Sequence, residues 1–451
     1  MTPVAADRAQ RTPIPRMPGH PVFGHLRSFR DDRAGMQLRV AREYPEAAEL
    51  RLGFLRTVMV SSPSLAHEVL TTKDGAFTKA PGLTIFMRPV LGNGLLASDG
   101  ELHGRQRKLL APAFAHKRIA AYAETMAERA RRWAASIEDG QELDVSDGMM
   151  RLTLEIVGKT LFDAEVGSDA DAVGEALTTV MQTVLVQLGS LVPLPPFVPS
   201  PRNLRSRRAV RRLDAIVYRV IEERRAQGGD RGDLLSMLLD AKDEAGVAMT
   251  DRQVRDEAMT LFIAGHETTA NALSWTLYLL AKNPEARAKV EDEIDALGRV
   301  PSYDDLKKLP YTLGALKEAM RLYPPAYILA RRAKETVTLG THVVRKNTIV
   351  FINVLGAHRR ADVWPEPDAF RPERFTADQE KLLPRCAYMP FGAGSRVCIG
   401  NHFALMEGHV LLGTILRRLR FERETDAPVD VEPLVTLRPR GPVTLRARAR
   451  G

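Results

Sequence analysis

Apolar and polar positions follow a helical period over most of this chain. The spacing predicts helices over roughly 101–115, 118–137, 146–163, 169–189, 203–228, 251–282, 310–323 and 401–419. Strand-like runs are few: Glu49–Gly53 and Arg56–Ser61 near the start, Val337–Leu339 and Thr348–Asn353 further on. No internal repeat or low-complexity linker divides the chain. Helices at both ends and few strands predict one large domain over 1–451, mainly α with a small β portion. Its first 25 residues form a proline-rich arm.

One predicted helix stands out. Thr250 and Gln253 form a capping box, the apolar pattern runs on to Ala281, and Asn283-Pro284 closes it. At about 1.5 Å per residue it is roughly 50 Å long, enough to cross the molecule through its core. Its middle reads Ala264-Gly265-His266-Glu267-Thr268-Thr269. The uncharged stretch 176–201 is different in kind. Leu177, Val180, Met181, Val184, Leu185 and Leu188 keep helical spacing with threonines and glutamines between them, and five prolines follow from Pro193 to Pro201. That pattern predicts an amphipathic helix and a loop, not a membrane span. The polar, proline-rich N-terminus predicts neither export nor a membrane anchor.

The 451 residues carry an ordinary balance of apolar and charged side chains, enough to bury a core around a large cofactor. Two cysteines, Cys386 and Cys398, exclude a disulfide framework and point to a reducing cytoplasm. The net charge of +9 favours acidic partners. The densest basic stretch, Arg202 to Arg212, has no interleaved aromatics. It reads as a solvated helix face, and no nucleic acid partner is expected.

The chemistry gathers around Cys398. It lies in FGAGSRVCIG, Phe391 to Gly400, just ahead of a predicted helix whose N-terminal partial charge favours a thiolate. Gly394 and Gly400 let backbone amides approach the sulfur, and Arg396 is placed to pair with an anionic cofactor group. Cys386 lacks such surroundings and reads as a small core residue. On the long helix, the small residues allow a flat macrocycle to approach. Thr268 suits a proton-donating hydroxyl there, and Glu267 a relay to water. Glu318 and Arg321, at i and i+3 in LKEAMRLYPP, share a helix face.

The cysteine segment matches FxxGxRxCxG at every defined position and resembles the haem-binding loop of the cytochrome P-450 family. The resemblance implies haem b, with Cys398 as the thiolate ligand of the iron. It implies cofactor contacts from Phe391, Gly392, Arg396, Gly400 and Ala264. The order of LKEAMRLYPP, then FRPERF, then the cysteine loop implies a structural cluster of Glu318, Arg321 and Arg374 buried behind the haem. ELHGRQRKLLAPAF is similar to the family's WxxxR helix, with His103 in the place of tryptophan and Arg107 kept; both face a haem propionate. Arg331 is a further propionate partner, a role open also to Arg332. AGHETT resembles [A/G]Gx[D/E]T[T/S], which makes Glu267 and Thr268 catalytic and leaves His266 at the variable position, in a packing or surface role. The substrate-facing regions are the loop at 82–97, the helix and loop at 177–200, the helix at 260–268, the turn at 326–330 and the loop at 435–440. All are apolar, so an apolar small molecule is expected. The implied reaction is oxygen insertion from O2. Electrons would come from separate ferredoxin and ferredoxin reductase-type donors, because the chain ends soon after the haem region. A cytoplasmic monomer is expected. A peroxide-driven or isomerising haem-thiolate enzyme and a non-catalytic haem sensor remain as alternatives.

Overall fold

The longest helix, Asp251–Lys282, begins as its sequence predicts. The Thr250 hydroxyl accepts from the Gln253 amide, and the Gln253 side chain accepts from the Thr250 amide. Asn283 ends it and Pro284 opens the next helix, Pro284–Asp295. The computed structural model describes residues 12–165, 170–229, 231, 233–242 and 246–450. In it the long helix packs against the helices Val145–Phe162, Pro310–Leu322 and Asn401–Arg418. It is enclosed on nearly every side and buries polar as well as apolar side chains, among them Arg255, Asp256, Glu257, His266 and Glu267. From Val254 to Leu280 every residue is buried except Ala264, Gly265 and Thr268.

The other predicted helices form within a few residues of their expected ends: Gly100–Leu110, His116–Ala135, Val145–Phe162, Ala170–Leu188, Pro201–Gln227, Pro310–Leu322 and Asn401–Arg418. The expected start at 169 and the first 11 residues of the N-terminal arm lie outside the described residues. Helix Pro201–Gln227 buries Ala209, Val210 and Leu213 and turns Arg202, Arg205, Arg208, Arg211 and Arg212 outward.

A five-stranded sheet lies beside the helices in the order Ala47–Leu52, Leu55–Val60, Ile349–Ile352, Leu329–Ala333, Phe77–Lys79. Only the Leu55–Val60 and Ile349–Ile352 pair is parallel. The antiparallel register of Phe77–Lys79 with Leu329–Ala333 sets Lys79 beside Arg331. Three expectations need correction. The chain does not stay helical at its C-terminal end. After Arg418 it forms the strands Leu419–Glu422 and Thr444–Ala449, whose alternating side chains suit a half-buried sheet, and the hairpin Val431–Pro433/Leu437–Pro439. The loop expected at 82–97 contains the helix Pro81–Leu91, which starts on a proline and stops at Gly92 with positive φ. The turn expected at 326–330 runs directly into the strand Leu329–Ala333. Among the described residues no helix is long and apolar enough to cross a membrane.

Candidate functional site

The cysteine loop is closed by its own backbone. The Cys398 amide donates to the Phe391 carbonyl at 2.9 Å, and a single turn at Gly394–Arg396 shapes the bend between them. Gly394 is required there on two counts: its φ is +72°, and a Cβ would collide with the Leu70 carbonyl oxygen. This differs from the expectation that it makes room for amides at the sulfur. At Gly400, with ordinary φ, a Cβ would make only normal contact with Phe114. The Gly400 amide is nevertheless a donor to the thiol.

Cys398 is open to a small probe, yet enough protein surrounds it that burial pushes its thiol up. The Gly400 amide and the positive charge of Arg107 pull it down. The thiol is thus reachable although protein surrounds it. Coordination to a metal would complete its deprotonation.

Basic side chains crowd one side of this loop. Arg107 donates to the Val397 carbonyl at 2.7 Å, one residue before Cys398. Arg396 is held by Asp74 and by Asp99, the latter at 2.7 Å, and reaches the Phe77 carbonyl at 3.3 Å. Its guanidinium, read from the sequence as free for a cofactor anion, is thus largely engaged by protein carboxylates. Arg331 is buried and its Nε has no partner, whereas Arg332 is only half-buried. Burial, with Arg396 nearby, lowers Arg331 to about 10. Burial also lowers Lys79 to about 7 despite the attraction of Asp99. Burial and then the charge of Lys79 lower His103 to about 4, so it is neutral near pH 7. An anionic group would relieve this crowding of like charges. Lys79, Asp74 and Asp99 escaped the sequence reading. The usable signal was Asp99 as the cap of helix Gly100–Leu110, where its carboxylate meets the first amide.

The three reachable residues of the long helix, Ala264, Gly265 and Thr268, fall at i, i+1 and i+4 and so share one stripe. The Thr268 hydroxyl donates back to the Ala264 carbonyl at 2.8 Å, and Thr269 does the same to Gly265 at 3.2 Å. Glu267 is buried beside the stripe, and its carboxylate accepts from the Thr436 hydroxyl at 2.5 Å. His266 is buried, with Nδ1 2.8 Å from the Phe262 carbonyl, which is a packing position.

Glu318, Arg321 and Arg374 come together as the sequence implied. Both Glu318 and Arg321 are 0% exposed, and two parallel bonds of 2.6 and 2.8 Å join them. Arg374 reaches the same carboxylate at 3.2 Å, and the Arg371 amide does so at 2.9 Å. The remaining Arg321 donors go to the carbonyls of His358, Pro367 and Ala369. His358, kept neutral by burial, accepts from the Met389 amide two residues ahead of Phe391. The cluster therefore braces the entrance to the cysteine loop.

These features suit an iron-bearing macrocycle with acidic side groups. Among the described residues no three His, Cys, Asp or Glu gather as a metal site, so an iron on Cys398 would draw its other ligands from a cofactor. A stripe of small residues offers a flat ring a close approach, and the partnerless Nε of buried Arg331 fits a carboxylate.

The comparisons with known proteins agree. The sequence profile of the cytochrome P-450 family matches residues 15–446. The chain is 37% identical to cyclooctat-9-en-7-ol 5-monooxygenase of Streptomyces melanosporofaciens, over 83% of this chain and 82% of that one. It is 33% identical to pentalenene oxygenase of Streptomyces avermitilis, over 89% of this chain and 90% of that one. The solved haem domain of cytochrome P450DA superposes with a TM-score of 0.87 at 30% identity, covering 98% of both chains. On this profile, these relatives and this fold, the chain belongs to the cytochrome P-450 family and is a haem-dependent monooxygenase.

Proposed function

We propose that this monooxygenase inserts one oxygen atom from O2 into an apolar small molecule. In this reading it is a cytoplasmic monomer that draws its electrons from a ferredoxin and a ferredoxin reductase. The observation that carries the reading is the stripe of Ala264, Gly265 and Thr268, the only reachable residues in an otherwise buried 27-residue stretch. An apolar ligand gains from leaving water for such a surface. The relatives' names, an alkenol monooxygenase and an alkene oxygenase, agree with an apolar substrate.

Haem b is the cofactor of this proposal, with Cys398 holding the iron. Arg331, His103 and Arg107 would hold the propionates, Arg331 through its unpartnered Nε. Phe391, Gly392, Arg396 and Gly400 shape the loop around the sulfur. When bound, the haem supplies oxygen activation. The protein's part is to place protons. The Thr268 hydroxyl, now bonded to the Ala264 carbonyl, is the final donor, and Glu267 supplies it from behind the stripe.

Thr268→Ala tests this. The variant should keep its haem but send more electrons to peroxide, because losing a positioned donor costs ~10²–10⁴-fold in the step it serves. Peroxide is assayed against NADH oxidised with a surrogate ferredoxin pair. An unchanged peroxide fraction would remove Thr268 from the path. Turnover supported by peroxide alone, with no response to the ferredoxin pair, would overturn the electron source.

A further inference from the structure

Glu267 is held by the far end of the chain. Its Oε1 accepts from the Thr436 hydroxyl at 2.5 Å, and Thr436 accepts in turn from the Asn271 side chain at 3.4 Å, one helical turn beyond Glu267. All three side chains are buried. The proton order is therefore fixed: the Asn271 amide nitrogen only donates and offers no lone pair, so the hydroxyl proton of Thr436 points at the carboxylate. Thr436 cannot easily move away. It sits in the bend between the strands Val431–Pro433 and Leu437–Pro439. On one side of it the Tyr327 hydroxyl donates to the Leu434 carbonyl at 2.6 Å. On the other side the Leu437 amide donates to the Pro325 carbonyl at 3.0 Å. A rigid backbone thus aims one hydroxyl at one buried carboxylate.

We propose that Thr436 is a positioning residue for the proton path, fixing the rotamer of Glu267 through this single bond. The inference rests on the role proposed above for Glu267. A carboxylate on a long side chain has several staggered rotamers open to it, and a short charge-assisted bond selects one. Without the bond the carboxylate spreads over several orientations. With it, the C-terminal hairpin and the middle of the long helix act as one unit.

The test uses the haem-loaded protein and carbon monoxide as the probe, reading the infrared stretch of the bound gas, which responds to charge and donors around it. Wild type and Thr436→Ser should give the same narrow band. Thr436→Val, of nearly equal size but without the hydroxyl, should broaden or split it. In a Glu267→Gln background, Thr436→Val should add nothing, because coupled residues do not act additively. The peroxide fraction in Thr436→Val should rise above that of wild type but stay below that of Thr268→Ala, since the supply to the donor is mis-aimed and the donor itself is kept. A wild-type band in Thr436→Val, or a change that persists undiminished in the Glu267→Gln background, would overturn the proposal. If Thr436→Val does not load haem, Thr436→Ala is read in the same way. An unchanged peroxide fraction in Thr268→Ala would remove the proton path while leaving the infrared coupling of Thr436 to Glu267 intact, so the two failures are separable.

Discussion

Cys398 and Cys386 carry the same side chain into opposite surroundings. Cys398 is exposed, with the Gly400 amide and Arg107 acting on its sulfur. Cys386 is half-buried in a left-handed backbone conformation, its sulfur 3.9 Å from His67 Nδ1, and burial alone pushes its thiol up. Cys398→Ala should therefore abolish the red-shifted carbon monoxide band that a thiolate ligand gives reduced haem, and Cys386→Ala should keep it. An unshifted band in undamaged wild type would mean a different axial ligand. Glu407 makes a second prediction at this scale. It is fully buried on the helix after the cysteine, and neither of its oxygens has a hydrogen-bond partner. Nearby Thr269 favours its charged form slightly, but burial dominates and raises it from 4.5 to about 8. A carboxyl that is harder to ionise when folded than when unfolded loses stability as pH climbs from 4.5 to about 8. Glu407→Gln should thus melt higher than wild type at about pH 8, with the gap closing toward about pH 5. A gap that does not vary with pH would show that Glu407 is not buried as a neutral acid.

At the scale of elements, the Glu318–Arg321–Arg374 cluster joins the helix Pro310–Leu322 to the segment around 365–371 and, through His358, to the cysteine loop. Glu318→Ala leaves buried Arg321, with half-buried Arg374 beside it, without their carboxylate, at a cost of about 3–5 kcal/mol. That is a large share of a typical domain's stability. The expected outcome is mostly haem-free or insoluble protein. Full haem content and unchanged melting would refute it. This cluster was legible in the sequence because its order along the chain matched a known pattern, and the cysteine loop because its residues lie at fixed local offsets. The long helix was legible from its cap and its period. The partners that complete the site were not. Asp74 meets Arg396 across 322 residues, and Thr436 meets Glu267 across 169. No local period records such pairings. The short strands Phe77–Lys79 and Leu329–Ala333 were missed for the same reason, since three to five residues carry too little alternation to stand out from turns.

For the whole molecule, the sheet and the helices share the site. Lys79 and Arg331 come from adjacent strands, while Arg107 and Thr268 come from helices. Buried Arg33 further ties the N-terminal helix Arg33–Glu43 to Tyr327 and to the Pro433 carbonyl. Loss of haem absorbance and loss of helical signal should therefore coincide in one thermal transition. Two well-separated transitions would show that the sheet unfolds as an independent unit.

The seat of Gly394 against Leu70 has a consequence for how the protein is made. The Leu70 carbonyl and the Asp74 and Asp99 carboxylates lie in the first quarter of the chain, whereas Gly394, Arg396 and Cys398 lie in the last. At ~5–20 residues per second, roughly 15–65 seconds of synthesis separate the two halves. During that interval Asp74 and Asp99 lack their arginine, and the surface that receives the cysteine loop is bare. If Cys398 holds the iron as proposed, the haem seat is complete only late in the synthesis of each chain, and a chain cut short before Cys398 should never show the thiolate-type carbon monoxide band.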